Sequence, residues 1–124
     1  VSEPRARALS DRYAGGAARL YGGIEDLLAD PEVEAVDICL PHHLHTPAIL
    51  AAARAGKAIL CEKPLCTSLE DAAAIGAALR DSGVVFVMAH NQLFQPAVAE
   101  ALRLLGDGAL GTLLYVRSME VGQQ

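Results

Sequence analysis

The sequence predicts an α/β protein built around a doubly wound parallel sheet, and three observations lead to this class. Strand-like and helix-like segments alternate between Val36 and Ala89 in the order strand, helix, strand, helix, strand, which is two βαβ units in tandem. The strand-like segments are short, nearly continuous apolar runs, typical of parallel strands that are covered on both faces. Apolar residues make up 52% of the 124 residues and aromatic residues only 4%, which favours aliphatic packing of helices on a sheet.

The segments before the first βαβ unit predict a helix, a short strand and a second helix. Ser2 is a candidate N-cap for the first helix, and Gly15 is placed to end it. Residues 18–22 (ARLYG) are a candidate strand. Residues 23–31 (GIEDLLADP) span one to two helical turns, and their final proline lies just beyond the helix end.

The first βαβ unit begins with the strand-like run 33–41 (VEAVDICLP). Thr46 is placed to N-cap the helix that follows, and Pro47 fits its first helical position. Gly56 fits the position after the helix end, where a left-handed conformation is common. Residues 57–61 (KAILC) are then the second strand.

The second unit adds a helix and a third strand. Thr67 and Glu70 form a capping-box pattern, T-S-L-E, at the start of this helix. Residues 84–89 (VVFVMA) are the third strand. A further helix is predicted to start near Pro96, and residues 111–121 (GTLLYVRSMEV) are a last strand-like run.

Charge and composition argue against several classes of protein. The net charge of −5 argues against nucleic acid or an anionic membrane as a partner. No apolar stretch reaches the roughly 18 residues of a membrane-spanning helix, and the first residues contain no signal-peptide core. Cys39, Cys61 and Cys66 are odd in number and lie in or beside apolar runs, which indicates reduced thiols in a cytoplasmic protein.

Polar side chains are concentrated where the three predicted strands end, in the segments LPHHLH (40–45), CEKPL (61–65) and AHNQ (89–92). In open parallel sheets, ligands bind outside the carboxyl ends of the strands. Charged side chains such as Glu62 and Lys63 are unfavourable at the end of a buried strand unless they bind a ligand. The sequence therefore predicts a ligand site at these strand ends.

Several of these segments resemble the Gfo/Idh/MocA oxidoreductases. Residues 37–65 (DICLPHHLHTPAILAAARAGKAILCEKPL) are similar to one continuous segment of the family. That segment consists of a turn, a helix that ends in Ala-Gly-Lys, a strand, and then the sequence Glu-Lys-Pro. Residues 90–96 (HNQLFQP) and 108–118 (GALGTLLYVRS) resemble the family's passage into a second domain. The resemblance implies hydride transfer between NAD or NADP and a sugar-like or cyclitol-like substrate.

The resemblance also assigns residues to this site. Lys63 is expected to be catalytic, contacting the nicotinamide ribose and the substrate hydroxyl and serving in proton transfer. His42 stands where the family more often has Asn, and Leu93 where it often has Arg. A cis Lys63–Pro64 bond is expected, because family members often show one. The expected cofactor-binding residues are Leu40, Pro41, His42, His45, Glu62, Lys63, Pro64 and Asn91.

The implied fold is a partial Rossmann-like sheet. Family members begin with a strand, a glycine-rich phosphate loop, a helix and a second strand, and the sequence shows none of these. The chain is therefore expected to be a fragment. Without the phosphate loop, this fragment alone is expected to bind NAD(P) weakly or not at all. Residues 1–111 are then part of the NAD(P)-binding domain, and residues 112–124 begin the C-terminal substrate and dimerisation domain. The full-length protein is expected to form a homo-oligomer.

Two other functions are compatible with parts of the sequence, and one motif is misleading. A non-catalytic nucleotide-binding or regulatory protein of the same fold is one alternative. A zinc site formed by Cys39 and the histidines of the segment 40–45 is disfavoured, because the spacing does not match a usual ligand set. Residues 106–111 (GDGALG) match G-x-G-x-x-G, but a helix precedes them and a strand follows, so they predict a helix end and a turn.

Overall fold

The computed structural model describes residues 2–117, and within them the chain forms five α-helices, two short 3₁₀ helices and three strands. The chain divides between Ala89 and His90 into two compact units, the first with the sheet and the second with the last helix. No helix of the described residues is long and apolar enough to cross a membrane. The elements are α1 (Glu3–Ala14), α2 (Ile24–Ala29), β1 (Ala35–Ile38), α3 (His45–Arg54), β2 (Ala58–Cys61), α4 (Leu69–Ser82), β3 (Phe86–Met88) and α5 (Pro96–Gly106).

The three strands form a parallel sheet in the order β1-β2-β3, which confirms the predicted three-stranded core. Ile38 of β1 pairs with Cys61 of β2, and Cys61 pairs in turn with Met88 of β3. β1 is an edge strand of this sheet. The carboxyl ends of all three strands therefore lie at the same edge of the sheet.

One face of the sheet is covered by helices, and the other is exposed in the described structure. Ile59 of β2 is buried against the helices, whereas the neighbouring Leu60 is 41% exposed and Val87 of β3 is 50% exposed. The prediction that both faces are covered is therefore wrong for residues 2–117. The strands follow one another in space in chain order, so two right-handed crossovers place α3 and α4 on the same face.

Residues 18–22 do not form the predicted strand. A strand needs a neighbouring strand to hydrogen-bond, and residues 2–117 offer none beside this segment. Its side chains instead bind the end of α2: the Tyr21 hydroxyl donates to Asp30 at 2.7 Å, and Arg19 forms ion pairs with Asp30 and Glu32. Two hydrogen bonds lower the pKa of Asp30: the larger effect comes from the Tyr21 hydroxyl and the next from the backbone N–H of Glu32.

α3 begins at His45, two residues before the predicted start at Pro47, so Thr46 lies inside the helix and is not its N-cap. The 3₁₀ turn His42–Leu44 leads directly into α3, and the Leu44 N–H donates to the Pro41 carbonyl at 2.8 Å. This turn already brings the chain into helical conformation, so no separate cap is needed. At the other end, Gly56 has a φ of +70°, as the sequence predicts for the residue after the helix.

The N-cap of α4 is Ser68, so the predicted capping box of Thr67 and Glu70 is wrong by one residue. The Ser68 hydroxyl accepts a hydrogen bond from the Asp71 N–H at 3.0 Å. Thr67 and Ser68 are both good capping residues, and the sequence pattern alone selected the wrong one. Gly83, with a φ of +66°, ends the helix.

Ser68→Ala is expected to lower the free energy of unfolding by about 0.5–2 kcal/mol, because the Asp71 N–H loses its partner. Thr67→Ala is the matched control and is expected to change it by less than about 0.5 kcal/mol, as at other exposed positions. Urea denaturation of the two variants beside the wild type measures both values. A larger loss for the Thr67 variant would show that the helix begins one residue earlier.

Residues 106–111 form the end of α5 and a turn, as predicted. Asp107 is the C-cap, and Gly108 and Gly111 have φ values of +71° and +65°. Residues 111–117 form no strand, so this part of the predicted strand 111–121 is wrong, and its remainder lies outside the described residues. The side chains of Leu114 and Tyr115 are exposed, so no packing partner among residues 2–117 holds this segment extended.

Candidate functional site at the carboxyl ends of β1 and β2

Backbone hydrogen bonds hold the ends of the three strands side by side. The Glu62 N–H donates to the Ile38 carbonyl at 3.0 Å, and the Ala89 N–H donates to the Cys61 carbonyl at 2.9 Å. These bonds continue the sheet ladder one residue beyond β2 and β3. The structure therefore brings together two of the predicted polar segments, the one after β1 and the one after β2.

The turn after β2 carries the two predicted charged residues. The Glu62 side chain bends back, and its carboxylate accepts a hydrogen bond from the Lys63 N–H at 3.0 Å. Lys63 itself is exposed, and among residues 2–117 its ammonium takes part in no ion pair. The Lys63–Pro64 peptide bond is cis, as predicted. An exposed ammonium at a strand end is available to a bound ligand.

The segment after β1 forms an exposed rim next to this turn. Leu40 is 41% exposed, and Pro41 and His42 are also exposed. The ring of His42 lies edge-on to the ring of His45, with 5.8 Å between the centroids. The rim thus offers apolar surface together with one imidazole.

His45 lies behind this rim and is completely buried, with 0% of its surface exposed. Its Nε2 is 2.8 Å from the Leu40 carbonyl oxygen, and its Nδ1 is 2.8 Å from the Pro64 carbonyl oxygen. One side chain therefore links the segment after β1 to the turn after β2. Both ring nitrogens are engaged by backbone groups and neither faces solvent.

Two cysteines next to the site remain thiols at neutral pH. Burial, followed by the charges of Cys39, Asp37 and Glu62, raises the pKa of the Cys61 thiol. The pKa of the Cys39 thiol is also raised, first by burial and then by its hydrogen bond to the Asp37 carboxylate at 3.4 Å. The thiolate is the reactive form, so neither cysteine is suited to act as a nucleophile here.

The remaining predicted residue, Asn91, belongs to the second unit. It begins the 3₁₀ turn Asn91–Phe94 and is exposed. Leu93, in the same turn, is 53% exposed. No group of three or more His, Cys, Asp or Glu side chains within residues 2–117 could hold a metal ion.

The sequence did not reveal that His45 bridges two carbonyl groups. A local signal for its burial was nevertheless present, because His45, Ala48, Ile49 and Ala52 follow the spacing of one helix face, and all four are buried. A histidine in such an apolar series is expected to point into the core and to hydrogen-bond there. The identity of its carbonyl partners depends on the strand ends, which local spacing does not specify.

Comparison with known proteins places this geometry in a family context. Residues 1–90 match the model of an oxidoreductase family with an NAD-binding Rossmann fold. The chain is 39% identical over 110 residues to the levoglucosan dehydrogenase of Pseudarthrobacter phenanthrenivorans, and the match covers 84% of this chain and 28% of that protein. It is 39% identical over 116 residues to D-xylose 1-dehydrogenase (NADP(+)) 2 of Haloferax volcanii, with 94% and 35% covered.

A solved structure gives the same result for the fold. The complex of levoglucosan dehydrogenase with NADH and levoglucosan superimposes with a TM-score of 0.79 at 36% sequence identity, and the match covers 90% of this chain and 30% of that one. The chain thus spans about a third of the length of the relatives it matches.

Proposed function

The chain belongs to the Gfo/Idh/MocA oxidoreductase family, and from this premise we propose that its protein transfers a hydride between NAD or NADP and an alcohol carbon of a sugar-like or cyclitol-like substrate. The observation that carries the proposal is the placement of Lys63, whose exposed ammonium lies where parallel sheets bind ligands. The relatives support the substrate class, since two of them are named as dehydrogenases of levoglucosan and of D-xylose.

The chemistry of the residues at the strand ends fits a nicotinamide nucleotide. Leu40 and Pro41 offer exposed apolar surface to a planar ring. The Glu62 carboxylate offers acceptor capacity to ribose hydroxyl groups, and the Lys63 ammonium is a donor. When bound, the nucleotide supplies the site that accepts or gives the hydride, while the protein supplies orientation and electrostatics.

Lys63 is the proposed catalytic residue. Oxidation of an alcohol carbon removes a hydride from carbon and a proton from the hydroxyl oxygen, and the Lys63 amine would accept that proton. In the reverse direction the ammonium would return the proton to the carbonyl oxygen. Proton transfer by a positioned side chain typically contributes about 10²–10⁴-fold to a rate.

The other predicted residues have supporting roles in this proposal. Pro41, His42 and Pro64 would complete the surface next to the ribose and nicotinamide. Asn91 remains in the predicted cofactor-binding set. His45 remains in the predicted set, but its burial means that it would act through the two segments that it joins. A cytoplasmic location and a homo-oligomeric full-length protein, as the sequence suggested, belong to the same proposal.

The main alternative is a non-catalytic nucleotide-binding or regulatory protein of the same family. The observation that favours it is Leu93, which is 53% exposed at a position where the family resemblance implies an Arg. Such a protein would bind NAD(H) or NADP(H) without turnover. It would still keep the fold of the strand ends, so only an activity measurement separates the two functions.

The test uses the full-length protein that contains this chain, incubated with NAD⁺ or NADP⁺ and a panel of sugars, anhydrosugars and cyclitols. Nicotinamide absorbance reports reduction of the nucleotide, and calorimetry reports its binding. We expect reduction with at least one member of the panel. Binding without reduction across the panel would favour the regulatory protein, and the absence of both would refute the proposed function.

A further inference from the structure

The two hydrogen bonds of His45 require an N–H on each of its ring nitrogens. Its two ring nitrogens face the carbonyl oxygens of Leu40 and Pro64, each at 2.8 Å. A carbonyl oxygen only accepts hydrogen bonds, and a neutral imidazole carries a single N–H. A neutral ring would therefore leave one nitrogen lone pair pointing at a carbonyl oxygen, whereas an imidazolium donates to both.

The thiol of Cys61 adds an independent constraint at Nδ1. Its sulfur is 3.6 Å from His45 Nδ1, and its own S–H donates to the Glu62 carbonyl oxygen at 3.3 Å. The one thiol hydrogen is thus used elsewhere, so toward His45 the sulfur can only accept. Two acceptors face Nδ1 and one faces Nε2, which agrees with a proton on each ring nitrogen.

The surroundings of His45 supply no carboxylate within hydrogen-bond distance of the ring, judged from residues 2–117. The Glu62 carboxylate is turned to the Lys63 N–H, and the Asp37 carboxylate accepts from Cys39. Within these residues, the groups that face the ring nitrogens are the two carbonyl oxygens and the sulfur. Besides His45, the titratable residues of segments 37–45 and 61–63 are Asp37, Cys39, His42, His43, Cys61, Glu62 and Lys63.

From this geometry we infer that His45 is a positioning residue that works as an imidazolium clamp. It holds the Leu40 segment and the Pro64 turn together through two charge-assisted hydrogen bonds, and it thereby fixes where the Lys63 ammonium emerges. The inference rests on the proposed function, because what the clamp positions is the proposed catalytic residue.

The charge of the clamp is tested without any cofactor. The full-length protein, labelled with ¹³C and ¹⁵N, is studied by NMR, and the His45 ring signals are assigned through bonds from the backbone of the wild type. We expect both ring nitrogens of His45 to carry a proton at neutral pH. A bare ring nitrogen under these conditions would overturn the inference. Because the wild type supplies the deciding signal, a variant that folds poorly does not weaken the test.

The positioning role is tested by comparing His45→Gln with His43→Gln. Glutamine presents one amide nitrogen and one amide oxygen, so it cannot donate to two carbonyls on opposite sides. His43 is exposed in the turn next to α3 and is the matched control. We expect kcat to fall roughly 10- to 100-fold in the His45 variant, as a displaced catalytic group would cause, and to stay unchanged in the control.

NADH affinity measured by calorimetry separates positioning from a purely structural role. His45→Gln should bind NADH more weakly than the wild type at a temperature well below its Tm, whereas His43→Gln should bind it as the wild type does. A His45 variant with a lower Tm but wild-type affinity and kcat would contradict the inference. If the wild type binds neither nucleotide, the proposed function fails, while the NMR result still decides the charge of the clamp.

Discussion

Lys63→Met in the full-length protein is expected to lower kcat by about 10²–10⁴-fold, the range typical for loss of a general acid or base. Methionine keeps an unbranched side chain of similar length but can neither accept nor donate the substrate proton. Lys63 is exposed and takes part in no ion pair within residues 2–117, so its loss should leave the fold intact. Steady-state kinetics with the best substrate of the panel, together with a thermal unfolding curve, measure both effects.

The matched control is Lys57→Met. The Lys57 ammonium donates to the Asp30 carbonyl at 2.9 Å, near the end of α2 and outside the site. Its loss should reduce the free energy of unfolding by roughly 1 kcal/mol, as for a typical hydrogen bond, and leave kcat unchanged. Equal losses of kcat in the two variants would show that charge or stability, not the position of Lys63, governs activity.

Ile49→Ala is expected to lower the free energy of unfolding by about 2–5 kcal/mol. Ile49 is 0% exposed and lies on α3, which packs against β1, β2 and α4. Truncating the side chain removes its transfer free energy and leaves a cavity at the centre of the first unit. A loss of this size is a large part of the 5–15 kcal/mol by which a typical domain is stable.

Leu69→Ala is the control for this core substitution. Leu69 is 85% exposed at the start of α4, so the change should stay within about 0.5 kcal/mol. Urea denaturation of both variants provides the comparison. A loss for the Ile49 variant of less than about 1 kcal/mol, below the range for buried isoleucine, would show that α3 is not packed on the sheet as described.

The repeating strand and helix signals were sufficient to predict the central fold. Between Val36 and Ala89 each strand is a compact apolar run, and glycines such as Gly56 and Gly83 mark the helix ends. Local chemistry decides such features, so the sequence reveals them. The start of α4 was missed by one residue, because Thr67 competes with an adjacent serine, and the start of α3 was missed by two, because a 3₁₀ turn precedes it.

Strands that depend on a distant partner could not be predicted in the same way. Residues 18–22 have strand propensity, but the hydrogen bonds of a strand are non-local, and here the side chains of Arg19 and Tyr21 bind Asp30 instead. The exposed sheet face is also non-local, since it follows from the spatial order of the strands. Propensity and periodicity contain no information on that order.

The location of the candidate site was predictable, whereas its internal bonding was not. The rule that parallel sheets bind ligands at their carboxyl ends located Glu62 and Lys63, and the family resemblance assigned their roles. The bridge from His45 to the carbonyls of Leu40 and Pro64 joins groups 5 and 19 residues away along the chain. Such a contact becomes visible only when the strand ends are placed in space.

A crystal structure of the full-length protein with bound NADH would test most directly whether the ends of β1 and β2 form the nicotinamide site. We expect the nicotinamide ribose between Leu40 and the Glu62–Lys63 turn, with Lys63 Nζ at a hydrogen-bond distance of about 2.7–3.2 Å from a ribose or substrate oxygen. A nicotinamide bound away from these strand ends, for example at the glycine-containing turn 106–111, would contradict the proposed site.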